Sequence, residues 1–229
     1  MLEIAIIFAV MIGITHYYSE KFCLKCKAFG GVHKVVSLFA GIAVTYILLD
    51  LFPLFSEKVL ATNKLLFLSL LFGFVIFHLI EKITYQKAPK GRLRKEIALE
   101  ESLALFVYHF LIGIAFVSFA TEGLFEGLLF FVPILLYTSI SAFVARPIRN
   151  RVLKVIFASG ALLGVLFAGF LYPNSINPMI ELAFLGFVIG ALFYIIMRHS
   201  IPAKGEGKPL YFLLGAIIYS ALIIASWFA

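Results

Sequence analysis

Apolar positions in this chain neither alternate with polar ones nor recur at helical spacing; they run together in long blocks separated by short connections that hold most of the charge. Eight blocks stand out, at 2–18, 35–54, 65–83, 97–120, 124–145, 152–172, 179–197 and 210–228. A helix rises about 1.5 Å per residue, so about 20 apolar residues cover a hydrocarbon core of about 30 Å. Within lipid, a helix satisfies its own backbone N–H and C=O groups, which an irregular segment cannot do. The blocks therefore predict eight transmembrane helices. The connections are too short to hide a soluble domain, so the expected architecture is a single all-α domain over 1–229.

Composition agrees, with 63% hydrophobic and 14% charged residues and a mean hydropathy of +1.08, far from a soluble domain. The first block carries Glu3 where a cleaved leader would carry Lys or Arg, and no small-residue cleavage site follows it, so it is expected to stay as a helix. Charge then suggests an orientation. Of the 19 basic residues, 17 lie in or beside the first, third, fifth and seventh connections; Lys58 and Lys64 are the exceptions. By the positive-inside rule both termini are expected to face away from the cytoplasm. Basic loops beside anionic headgroups account for the formal charge of +7. The bilayer is the expected partner, with no nucleic acid, and the cytoplasmic membrane of a prokaryote is the expected location.

Few residues in the spans carry chemistry. In FVYHFLIGIAF, 106–116, His109 interrupts an apolar segment as a metal ligand, a proton relay, a packed core residue or the remnant of a lost site. Glu101 and Tyr108 are seven apart and share a helix face, so a polar track of His78, Glu101, Tyr108 and His109 is one reading. The plainer one leaves Glu101 at headgroup level and each His bonded to a backbone carbonyl. Asp50, near the outer end of its span, is at a different depth from His78. Pro133 frees the carbonyl of Leu129, which either lines a cavity or takes a neighbour's hydroxyl. The pairs Gly160/Gly164 and Gly186/Gly190 have the spacing of helix-packing motifs.

In HYYSEKFCLKCKAFGGVH, 16–33, read as a cytoplasmic loop, Cys23 and Cys26 form a C-x-x-C with His16 and His33 seven residues to either side. Two thiolates and two imidazoles suit zinc, and an incidental or redox pair is the alternative. No enzyme is expected. Glu100 and Glu101 lack an Arg four residues beyond the second Glu, Ser159-Gly160 is a common packing pair, and no phosphate-binding loop stands in the connections.

Two further stretches carry a family likeness. VSLFAGIAVTYILLDLFP, 36–53, resembles the second helix of the ZIP metal transporters, the zinc and iron permease family, with Asp50 where the family has His and Pro53 kept. LGFVIGALFYIIMRHSIP, 185–202, is similar to the seventh, through Gly190, Tyr194 and Pro202. YHFLIG, 108–113, then lines up with the fourth-helix motif HNFTDG, and FFVPIL, 130–135, with the fifth-helix motif HEIPHE. Phe110, Gly113 and Pro133 match. Tyr108, His109, Ile112, Phe130, Phe131, Ile134 and Leu135 stand where the family holds metal. The resemblance implies a ZIP-like eight-helix bundle, an ancestry in divalent metal transport, and homodimers. A divalent cation exchanges its water shell for three or four O, N or S donors, and of these positions Ile112, Phe130, Phe131, Ile134 and Leu135 offer none. The expected function is thus either transport, of another solute or of metal through a relocated site, or a non-transporting role as sensor or partner subunit.

Overall fold

A computed structural model describes residues 2–28, 31–87, 93–140, 150–171, 177–200 and 207–228, without the side chains of 26–28, 84–85, 87, 93–98, 100–101, 171 and 198–200. The described residues form helices and short turns, with no strand. The elements are α1 (Leu2–Ala28), α2 (Val32–Tyr46), a π-helical turn (Ile47–Leu51), α3 (Phe52–Thr62), a 3₁₀ turn (Lys64–Leu66), α4 (Phe67–Lys87), α5 (Leu93–Glu122), α6 (Leu124–Ser139), α7 (Arg151–Ala158), α8 (Gly160–Leu171), α9 (Pro178–Ser200) and α10 (Pro209–Ser226).

Six helical segments are long and apolar enough to cross a membrane: Leu2–Lys25, Val32–Thr62, Lys64–Ile83, Ser102–Glu122, Pro178–Met197 and Pro209–Ser226. A seventh arises if α7 and α8, bent by 44°, count as one span. The bend falls at Ser159 and Gly160, and Gly/Ser pairs are a common cause of helix kinks. α6 is apolar but has 16 described residues, and 141–145 of its predicted block lie outside the described residues. α4 and α10 turn most of their apolar surface outward, with 11% and 17% of their windows buried. So large an exposed apolar face is what lipid contact produces.

Local sequence explains the breaks. Pro53 has no N–H for the Leu49 carbonyl, and the widened turn at Ile47–Leu51 carries the helix through that gap. Asn150 Oδ1 accepts from the Val152 and Leu153 N–H groups, and Asn177 Oδ1 from that of Met179, so side chains cap α7 and α9. α1 continues ten residues past the predicted end at 18, which puts Cys23 on a helix rather than in a loop.

α1, α5, α6 and α8 pack as one group; the pair α4–α9 docks on α5 and α2, and the pair α2–α10 docks on α6. The three closest pairings are made by glycines. A Cβ at Gly164 would sit 1.9 Å from the Phe110 carbonyl oxygen across α5–α8, and one at Gly190 would sit 1.9 Å from the Leu70 oxygen across α4–α9. Gly41 and Gly215 do the same for α2–α10. Without water to drive helices together in a bilayer, close backbone approach of this kind supplies the packing. Gly160 and Gly186 also face neighbouring helices, so both glycine pairs noted in the sequence lie at helix contacts.

Candidate functional site

The centre of the bundle is where α2, α5 and α6 meet. Tyr108 and Ile112 arrive from α5, and Phe130, Phe131, Pro133 and Ile134 from α6; all are buried, while Leu135 is half-buried. Rings fill the space that charge would need. Phe131 stacks on Phe8 of α1 with centroids 4.4 Å apart, and Phe130 stacks on Phe119 at 4.5 Å with Phe116 edge-on at 5.2 Å. Beside them a gap bounded by Ala43, Tyr46, Tyr108, Ile134, Tyr137 and Leu192 leaves no room for a water-sized sphere. A water needs about 10–15 Å³ of such space and several polar partners. The centre is a close-packed plug of rings and aliphatic side chains, within which the Tyr46 and Tyr108 hydroxyls are buried without a hydrogen-bond partner among the described residues.

His109 lies at its edge, 1% exposed. Its Nε2 is 3.1 Å from Oγ1 of the fully enclosed Thr138 on α6. The His16 ring of α1 meets it edge-on at 4.9 Å, and Tyr108 flanks it at 5.2 Å. Neither imidazole Nδ1 makes a hydrogen bond of ordinary geometry, although the Leu105 backbone interacts with the His109 ring. Two imidazoles and a hydroxyl from three helices therefore meet at one polar spot, where His109 and Thr138 are buried and His16 is half-buried. By spacing, His16 groups with Cys23, Cys26 and His33; the fold instead brings it to His109. A second His inside an apolar segment was the available signal.

The C-x-x-C region divides differently. Cys23 is buried with Sγ 4.0 Å from the Ser139 carbonyl oxygen, two turns of α1 beyond His16, or about 10.5 Å along the axis. Cys26 is on α1, but its side chain lies outside the described residues. His33 is half-buried in the first turn of α2. Among the described residues, no three His, Cys, Asp or Glu side chains converge as a metal site.

Of the other polar positions, His78 is exposed and packs its ring on Tyr194 at 5.7 Å, so it is not in the buried group with Tyr108 and His109. Tyr194 in turn donates to Glu81 Oε2. The Glu101 side chain lies outside the described residues. Asp50 is half-buried in the π-helical turn, with Glu126 and Glu122 as its acidic neighbours. The carbonyl that Pro133 frees is occupied: the Tyr219 hydroxyl donates to the Leu129 oxygen at 2.7 Å, in a buried contact between α10 and α6. Tyr219 was not singled out in the sequence.

Two ion pairs sit away from this centre. Lys154 at the start of α7 meets Glu20 of α1 at 2.8 Å, and Lys58 of α3 meets Glu122 at the end of α5. These features make a membrane-embedded bundle with a close-packed aromatic middle and, at its edge, a His–His–Thr group. No protein-family model matches the chain, and comparison with curated proteins finds no match.

Proposed function

We propose that the chain is a ZIP-like integral membrane protein of eight spans, with both termini outside the cytoplasm, that does not pass divalent cations along the family's central route. On this reading its ancestry is in zinc or iron transport, and it now serves as a membrane sensor or partner subunit. The observation that carries the proposal is the aromatic plug in which Phe130 and Phe131, at positions the resemblance assigns to metal, are packed by Phe8, Phe116 and Phe119. Stripping a bare ion of water without replacement contacts costs on the order of tens of kcal/mol. Phenylalanine faces and isoleucine methyls return little of that.

Liposomes loaded with a metal-sensitive dye and carrying the purified chain test this directly. External Zn²⁺, Fe²⁺ and Mn²⁺ are expected to enter no faster than into protein-free vesicles. Saturable uptake of any of them refutes the proposal. The contact between half-buried His16 and buried His109 favours a second reading, transport through a relocated site, in which His109→Phe would abolish the uptake. Homodimerisation, which the resemblance implies, is tested by cross-linking in the membrane.

A further inference from the structure

A different part of the bundle is open. Between α3, α5 and α9 lies a cavity of about 360 Å³. That is within the range of about 300–1,000 Å³ typical of small-molecule sites. Its walls are apolar, from Leu111, Ala115, Phe119, Leu182, Leu185 and Val188. Its rim is not: Lys58, Thr62, Ser118, Glu122 and Glu181 gather there. All the charge is at one end, where α3 and α5 finish and α9 begins. From Glu122 down to Leu111 is eleven residues of α5, or about 16 Å of depth.

The charges do not cancel. Lys58 is paired with Glu122, and Thr62 Oγ1 donates to the Lys58 carbonyl at 2.8 Å. Glu181, in the first turn of α9, has no ion pair among the described residues. The rim thus carries one negative charge above a long apolar wall.

We propose that this cavity binds an amphiphile with an ammonium head, held by Glu181 at the rim, and an apolar tail laid along α5 and α9. The Lys58–Glu122 pair stays intact beside the head and disfavours a second cationic group. Two sources supply that chemistry, a bilayer lipid with an ethanolamine head and a free alkylamine. The proposal goes beyond the central plug and does not depend on it.

Native mass spectrometry of the full chain in a neutral detergent tests it with matched ligands. Dodecylammonium is expected to bind at least about tenfold more tightly than dodecanol, the margin of one charged contact. Glu181→Gln should remove that margin, and Glu181→Lys should reverse it in favour of dodecanoate. Glu181 also favours the start of α9 electrostatically, so either variant alters folding slightly whether or not a ligand binds. Head-group preference is not moved by that effect. Glu181-dependent retention of phosphatidylethanolamine over phosphatidylglycerol identifies the bilayer as the source, and selectivity for dodecylammonium alone identifies a free amphiphile. Binding that ignores the head group, or ignores Glu181, overturns the proposal while leaving the metal-flux result untouched.

Discussion

Replacing Tyr219 by Phe deletes one oxygen and keeps the ring. The lost hydroxyl is the one that donates to the Leu129 carbonyl at 2.7 Å, with Tyr219 and Leu129 both 3% exposed. In a regular helix that carbonyl would receive the N–H of residue 133, but Pro133 has none. The variant therefore leaves a buried acceptor empty, which costs about 1–3 kcal/mol in soluble proteins. Hydrogen bonds between membrane helices average nearer ~0.6 kcal/mol and reach ~1.7, because the unfolded chain in lipid finds other partners. Leu129 lacks the usual local alternative, so a loss of about 1–2 kcal/mol is expected. Pro133→Ala supplies an N–H in place, and in that background Tyr219→Phe should cost less than about 0.5 kcal/mol. The difference, about 1 kcal/mol of coupling, is read by unfolding the four proteins with SDS in mixed micelles. If the two changes are additive, the tyrosine is not satisfying the proline's orphan carbonyl and the account of this contact fails.

Gly164→Ala should destabilise the fold by about 3 kcal/mol or more, since its Cβ would meet the Phe110 backbone oxygen at 1.9 Å and backbone cannot rotate aside. Gly123→Ala, where no atom lies within 4 Å, is the control in the same titration and should be close to neutral. Thr138→Val keeps the shape and removes the hydroxyl 3.1 Å from His109 Nε2; a loss of about 1–2 kcal/mol by the same assay is expected, and no loss would mean the contact is not a hydrogen bond. Glu122→Gln breaks the ion pair to Lys58, but with side chains 36% and 40% exposed it should shift the midpoint by less than about 1 kcal/mol.

Much of this molecule was legible in order of residues alone. Unbroken apolar runs announce helices in a bilayer, because the backbone must pair with itself within each segment and that pairing is local. The same locality exposed the consequence of Pro133, whose missing donor concerns a carbonyl four residues back, and the small-residue spacing at Gly160/Gly164 and Gly186/Gly190. It also exposed the apolar character of Phe130, Phe131, Ile134 and Ile112, which the structure gathers into one packed centre.

What no local pattern carried was the choice of partner. That Tyr219, ninety residues beyond Leu129, closes the gap left by Pro133 depends on how α10 is rotated against α6. That His16 turns inward to His109 depends on how α1 packs against α5, α6 and α8. The cavity beneath Lys58, Glu122 and Glu181 is lined by the ends of three helices from distant parts of the chain, a juxtaposition that no local pattern carries. Each helix specifies its own rise and faces; which face meets which neighbour is settled when glycines let particular backbones close to contact, and that is a property of the assembled bundle.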